Sequence, residues 1–187
     1  MHIETTNVGD TCSASLDRGA SYDEAMGLHG TYQIVCHDKF GDIKWVDVIG
    51  NLVTTVGKNF TMDTVLGNTA GGAVVMGLKG TGTALVTDTQ ASHTWLEIGL
   101  ANAPTYSGNR KTPTFSAASA GAKTTSTPVV FTMTGSGTVA GCFINIGGSA
   151  TIDNTTGTLF SAGDFTAGSK TVTSGDTLSV TYTATAA

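Results

Sequence analysis

The 187-residue chain is poor in charge, since Asp, Glu, Lys and Arg make up 12% of its residues, against about 25% in a typical globular domain. Its net charge of −5 and its nine dispersed Lys and Arg residues argue against nucleic acid as a partner, because phosphate binding needs clustered cations. The sequence has no run of the roughly 18 apolar residues that a membrane helix requires, so we expect no membrane partner.

The cysteines and the chain start predict synthesis in a cytoplasm. Cys12, Cys36 and Cys142 are odd in number and widely separated, which argues against a disulfide scaffold or a zinc site. Cys36 and Cys142 fall in apolar runs, where we expect buried, unreactive thiols. The first residues, Met-His-Ile, lack the basic and apolar segments of a signal peptide.

Residues 1–30 are polar and contain four glycines, with no sustained apolar period. We predict an extended N-terminal arm here, ordered against a neighbouring subunit. Within the arm, Tyr22 opens an acidic stretch that is compatible with one helical turn behind a Ser21 cap. Residues 31–187 are predicted to form a single β domain.

A hairpin is predicted at the start of this domain. Residues 31–36 are rich in β-branched and aromatic side chains, and residues 43–49 supply the return strand. Alternation in the return strand places four side chains on one face: Ile43, Trp45, Asp47 and Ile49. An acidic residue on an aromatic face indicates that this face is partly buried or that Asp47 has a partner there.

After residue 50 the apolar residues recur every three to four positions instead of every two, which predicts a helix over residues 52–66. Gly57 inside it costs about 1 kcal/mol relative to Ala, so we expect the helix to lie against the sheet and to depend on packing. Residues 73–78 form a nearly continuous apolar run that is typical of a central strand.

The densest polar constellation contains Asp88, His93, Trp95 and Glu97 within ten residues. In a helix, His93 and Glu97 would share one face, as in metal sites. In a strand, His93, Trp95 and Glu97 would share a face, which predicts a hydrogen-bonded His beside a packed Trp. No second His lies nearby, so we favour the strand and predict no metal, cofactor or catalytic residue.

The closing half of the chain predicts a β-sandwich. Residues 104–121 are loop-rich and are expected to cross the edge of the sheet. From Phe131 to Thr185, apolar and small polar residues alternate between glycine turns. Four side chains of the final runs fall on one face: Val172, Leu178, Val180 and Tyr182. Residues 174–176 predict a tight hairpin turn.

The predicted fold class is therefore mainly β: an antiparallel, jelly-roll-like β-sandwich with one helix packed on it and an extended N-terminal arm. Such a chain is expected to work through surface contact rather than through enzymatic chemistry.

Several sequence blocks resemble a group of small virion structural proteins of tailed bacteriophages. The resemblance covers residues 44–185 and is carried by these motifs: Lys44-Trp45-x-Asp47, Asn51-Leu-Val53, Gly57-x-Asn59, Thr87-Asp-Thr-x-x-Ser-His-x-Trp-x-Glu97, Gly157-Thr-Leu-Phe-Ser-Ala-Gly-x-Phe165 and Gly175-Asp-Thr-Leu-x-Val-x-Tyr-Thr183. It implies a capsid decoration or cement protein that sits as a dimer or trimer where capsomers meet.

The leading hypothesis is thus a homotrimer, or else a homodimer, that binds the major capsid protein on the outer surface of the head and stabilises it. The candidate interface residues are Trp45, Asp47, His93, Trp95, Glu97 and Tyr22. Because Trp is common at interface hot spots, both tryptophans are candidates, although a purely core role for them stays open.

Two other roles remain open. A tail or fibre component would share the scaffold. A carbohydrate-binding jelly-roll module would use an aromatic ring beside a carboxylate, as the pairs Trp45–Asp47 and Trp95–Glu97 offer.

Overall fold

The computed structural model describes residues 27–186, which form a mainly β structure with one helix in that range. The elements in chain order are β1 (Leu28–His37), β2 (Ile43–Gly50), β3 (Leu52–Val53), α1 (Thr55–Val65), β4 (Val74–Lys79), β5 (Ala122–Thr124), β6 (Val129–Thr132), β7 (Gly137–Val139), β8 (Gly141–Ile146), β9 (Thr158–Asp164), β10 (Lys170–Val172) and β11 (Thr177–Ala186).

The strands form two antiparallel sheets and a small ribbon. Sheet A has the order β2–β1–β11, and β5 and β6 both pair with the other edge of β11. Sheet B has the order β3–β9–β8–β4. The ribbon pairs β7 with β10. The pairing of the first strand of sheet A with the last one brings the two ends of the described chain together.

The main core lies between the two sheets. Sheet A contributes cross-strand pairs such as Tyr32 with Tyr182, and sheet B contributes side chains such as Met76 and Ile144. The Tyr32 hydroxyl also hydrogen-bonds the Ser161 hydroxyl of β9, with 2.9 Å between the oxygens. Two sheets around one core are consistent with a β-sandwich.

The alternation predicted for the closing strands is confirmed. The four side chains predicted to share a face are all buried: Val172, Leu178, Val180 and Tyr182. The hairpin at the start of the domain is also confirmed, since β1 and β2 pair antiparallel. Ile43 departs from its predicted face and is exposed, because the register shifts between Cys36 and His37 at that end of the hairpin.

The predicted start of the helix at residue 52 is wrong. Leu52 and Val53 pair with β9 instead, so their backbone groups belong to sheet B. Thr54 caps the helix: its Oγ1 accepts a hydrogen bond from the Gly57 backbone N at 3.0 Å. A sequence period cannot distinguish such a two-residue strand from the first turn of a helix.

The helix lies against the sheet as predicted, but a glycine makes the contact. Gly57 is the buried residue of α1, and a Cβ added there would lie 2.3 Å from the Phe160 carbonyl oxygen of β9. The apolar residues Met62, Val65 and Leu66 are exposed instead. The helix therefore contacts the strand closely through Gly57, and not through a row of apolar side chains as we expected.

Three further predictions need correction. Residues 28–30 belong to β1 rather than to the arm, while residues 1–26 lie outside the described residues. β4 stands at the end of sheet B, and its outer edge is bridged to Glu97 and Lys111 rather than to a strand. Residues 174–176 do form a turn, but β10 and β11 pair with different strands, so the turn does not close a hairpin.

Candidate contact surfaces

Residues 80–121 connect β4 to β5 without a helix or strand, and the part of this connection around Trp95 covers the outer face of sheet B. A second, smaller core forms there, and it contains Trp95 from the connection with Phe143, Leu159 and Ala162 from the sheet. Because side chains alternate along a strand, Phe143 faces away from its neighbours Cys142 and Ile144 in the main core. Sheet B is thus packed on both faces.

The Glu97 carboxylate and the Arg110 guanidinium anchor this connection. Arg110 donates from Nε to Glu97 Oε1 at 2.7 Å and from Nη2 to Oε2 at 2.6 Å, and both side chains are buried. The Asp153 backbone N also donates to Glu97, and Arg110 donates to the Ser149 and Asn154 carbonyl oxygens. The pair therefore ties residues 80–121 to the segment between β8 and β9.

Sequence reasoning identified Glu97 but missed Arg110. Arg110 stands beside Lys111 in the sequence, and two adjacent basic residues usually lie in solvent. No spacing rule connects residues 97 and 110 across an irregular segment, so only the folded arrangement reveals their pairing.

His93 and Trp95 form the predicted hydrogen-bonded, packed arrangement, but the predicted strand is wrong, because the residues that carry them belong to an irregular segment. Their rings stack with centroids 3.8 Å apart, and His93 Nδ1 lies 2.7 Å from the Trp95 carbonyl oxygen. Trp95 Nε1 donates to Asp88 at 3.0 Å. Among residues 27–186, no group of three or more His, Cys, Asp or Glu side chains could hold a metal ion.

A polar cavity of about 330 Å³ opens beside this cluster. His93, Glu97 and Asp153 contribute to its wall. Trp95 and Glu97 are 2% and 3% exposed, so their side chains do not present a surface to a partner in this structure. Of the predicted residues in this block, only His93 is half-exposed and within reach of a second molecule.

Lys79 is a second buried cation that sequence reasoning missed, because it ends an otherwise apolar run. Its side chain is fully buried, and its Nζ contacts the Asp164 carboxylate and donates to the Gly82 carbonyl oxygen at 2.6 Å. The register places Lys79 and Asp164 on either side of Gly141 in sheet B. Since Gly141 has no side chain, the lysine crosses β8 to reach its partner.

Trp45 and Asp47 tie β2 to the segment after β9. The Trp45 ring packs edge-on against Phe165 with 5.5 Å between centroids, and its Nε1 donates to the Thr171 carbonyl oxygen. Asp47 is buried, accepts from the Thr166 backbone N at 3.1 Å and lies 3.6 Å from Lys170 Nζ. The partner predicted for Asp47 is therefore present, and the carboxylate is not free.

Among residues 27–186, no segment covers the outer face of sheet A, and this face is uncharged along two cross-strand rows. The first row runs across four strands: Val46, Val35, Ser179 and Val130. The second row contains Val48, Gln33 and Thr181. Val46, Val48 and Val130 are about half exposed, at 50%, 56% and 48%. This face, called the open face below, combines apolar and hydroxyl groups without a charged side chain in either row.

The thiols of the described residues are buried as predicted. Cys36 and Cys142 are fully buried and unpaired. Burial raises the pKa of Cys36 to about 11 and raises the pKa of Cys142 further still. Because the thiolate is the nucleophile, both groups are unreactive at neutral pH.

Tyr22, the remaining predicted interface residue, lies outside the described residues. No family model, no curated protein and no solved structure matches the chain. Within residues 27–186, no helix is long and apolar enough to cross a membrane.

Proposed function

We propose that the chain is a non-enzymatic virion structural protein of a tailed bacteriophage, a decoration protein that binds the major capsid protein on the outside of the head. The open face of sheet A carries this proposal. In a chain whose other sheet is packed on both faces, this surface has the apolar and hydroxyl groups that a protein interface uses.

The size of the open face favours a multivalent role. Four strands spaced about 4.8 Å apart and about six residues long present roughly 400 Å². A standard interface buries about 800 Å² per partner, so one such contact would be weak. A capsid repeats the same site many times, and linked copies gain avidity without a new contact. We therefore propose a homo-oligomer, a trimer in the first instance and a dimer as the alternative.

The jelly-roll-like topology and the extended arm are part of the same proposal. Strands distant in sequence pair in both sheets, as β1 does with β11 and β3 with β9. Long return connections of this kind are typical of Greek-key and jelly-roll sandwiches.

Charge placed on the open face tests the proposal. Val46→Glu and Val48→Glu introduce carboxylates on exposed side chains, so the fold should be retained while attachment to undecorated heads falls about tenfold or more. Cosedimentation with heads measures the bound fraction. Leu96→Glu is the matched control, because Leu96 is 60% exposed but follows Trp95, which packs on sheet B rather than on sheet A. Equal binding of all three variants would contradict a role for the open face.

Imaging of labelled protein on whole virions separates head from tail. Even coating of the head would support the decoration role. Signal confined to the tail would contradict that role and favour a tail or fibre component.

A carbohydrate-binding role has less support in the geometry. A sugar ring stacks on an exposed aromatic face, and Trp95 is buried beneath His93. Trp45 is the one tryptophan left partly exposed. Glycan-array binding that Trp45→Ala abolishes would favour this role over decoration.

A further inference from the structure

An apolar cavity of about 280 Å³ opens between the start of β1 and helix α1. The described residues that line it are Gly27, Leu28, His29, Lys58, Thr61 and Met62. The exposed side chains Val65 and Leu66 extend this apolar surface, because they follow Met62 at the i, i+3 and i+4 spacing of one helix face. This helix face does not pack on sheet B, which α1 contacts through Gly57.

The cavity has a cation at its wall. Lys58 is exposed, and no carboxylate among residues 27–186 forms an ion pair with it. An occupant that combines an apolar group with negative charge would therefore complement both the lining and the lysine.

Residues 1–26 have that chemistry. They contain five of the fourteen Asp and Glu residues and one of the nine Lys and Arg residues, so they hold −4 of the net charge of −5. Tyr22 stands directly before Asp23 and Glu24, which places an aromatic ring next to two carboxylates.

The same segment is also tethered at the cavity. Gly27 is part of the wall, and Tyr22 precedes it by five positions, a span of at most about 18 Å in extended chain. Short tethers give local concentrations of about millimolar or higher, so a weak contact is sufficient for occupancy.

We propose that Tyr22 of the same chain occupies this cavity, with its ring against Leu28 and Met62 and with Asp23 and Glu24 facing Lys58. The cavity is then a docking site for the N-terminal segment, which covers the exposed face of α1. This inference does not rest on a capsid role, and its test uses the purified protein alone.

A disulfide trap tests the placement. Tyr22→Cys with Met62→Cys, in a Cys12→Ser background, should form an intramolecular bond under mild oxidation, seen as a monomer on non-reducing gels and as a linked peptide by mass spectrometry. Asp63→Cys replaces Met62→Cys in the control, because Asp63 is exposed and lies about 100° further around the helix. We expect at least about tenfold less linked product there, since a disulfide requires Cα atoms within about 7 Å.

Two outcomes would overturn the placement. A disulfide-linked dimer would mean that a neighbouring copy supplies the segment, and equal bonding to positions 62 and 63 would mean that the segment does not dock.

Charge reversal tests the electrostatic contact. Lys58→Glu should reduce the yield of the trapped disulfide about two- to fivefold, as expected for a partly exposed ion pair, and Asp23→Lys with Glu24→Lys should restore it. Lys39→Glu, at an exposed lysine in the β1–β2 turn, should leave the yield unchanged. An equal effect of Lys39→Glu and Lys58→Glu would overturn the specific contact with Lys58.

Discussion

At the scale of single residues, this charge-poor chain places much of its charge inside. Four ion pairs lie within residues 27–186, and each of them has at least one buried side chain: Arg110 with Glu97, Lys79 with Asp164, Asp176 with Lys44, and Asp47 with Lys170. Buried pairs add little net stability, because desolvation offsets their attraction, but loss of one partner is costly. We infer that these pairs fix the path of the irregular segments rather than strengthen the core.

Removal of the Arg110 guanidinium should therefore be strongly destabilising. Arg110→Met leaves the Glu97 carboxylate buried without its bidentate donor, and we expect a loss of about 3–5 kcal/mol in the free energy of unfolding. Urea denaturation measures it. Arg110→Met combined with Glu97→Gln should recover part of the loss, because the unpaired charge is gone. Equal losses in the single and double variants would show that the charge is not the cause.

Acid should weaken the contribution of Asp176. Burial opposes its ionisation, but hydrogen bonds from Lys44 Nζ and from the Thr173 backbone N and hydroxyl outweigh burial and hold its pKa below the ordinary value. The pKa of Asp176 is therefore lower in the folded protein than in the unfolded chain. The stability that its ionised carboxylate adds is fully present above the unfolded pKa of about 3.9, and it is lost as the pH falls through the pKa of the folded protein.

The difference in unfolding free energy between the wild type and Asp176→Asn should consequently shrink between pH 6 and about pH 3. Asp42→Asn provides the control at an exposed carboxylate of the β1–β2 turn. A difference that stays constant with pH would show that Asp176 acts through packing alone.

At the scale of elements, the contact between α1 and β9 reverses an ordinary helix rule. Gly→Ala inside a helix usually stabilises it by about 1 kcal/mol. At Gly57 the new Cβ would meet the Phe160 backbone, so the helix must move outward. We expect Gly57→Ala to lower the free energy of unfolding by about 1–3 kcal/mol, as overpacking does. Asn59→Ala, on the exposed side of the same helix, should leave stability unchanged or raise it slightly, and a similar gain at Gly57 would contradict the close contact.

Period-2 alternation was sufficient to predict the strands that have one face in the main core. It placed the β1–β2 hairpin and the buried side chains of β11, because in both cases neighbouring residues carry the signal. It failed where contacts are non-local. The edge of β4 is covered by a distant segment, and the start of α1 depends on pairing with β9.

The candidate contact residues were harder to predict for the same reason. A tryptophan close to an acidic residue is common both in interfaces and in cores, and composition does not distinguish the two. Trp95 is buried because residues 80–121 fold over sheet B, which no local pattern of that segment indicates. Val46 and Val48 alternate along β2 with Trp45, Asp47 and Ile49, but their exposure follows only from the absence of a covering segment among the described residues.

At the scale of the whole molecule, the two sheets differ in how their outer faces are used. Residues 80–121 cover sheet B, and sheet A keeps an open face of apolar and hydroxyl groups. We base the proposed contact with a partner on this asymmetry. The N-terminal segment joins sheet A at Leu28, and the cavity beside α1 begins at the same point.

Two truncations should separate the arm from the fold. Deletion of residues 1–26 stops before β1 and should change the unfolding free energy by at most about 1 kcal/mol, the scale of a small exposed contact. Deletion of residues 1–30 removes three cross-strand pairs between β1 and β11. It also removes the Gly30 carbonyl oxygen, which accepts a hydrogen bond from the Asn51 backbone N at 2.8 Å. We expect it to cost about 2–3 kcal/mol more, since each lost backbone hydrogen bond contributes about 1 kcal/mol.

The shorter truncation also isolates the function of the arm. If the arm contributes to attachment, the variant that lacks residues 1–26 should bind undecorated heads more weakly although its unfolding curve and sedimentation coefficient show an intact domain. If its binding equals that of the full chain, attachment depends on the folded domain, and the open face alone must supply it. The 1–30 truncation cannot make this distinction, because weak binding there would follow equally from the loss of three residues of β1.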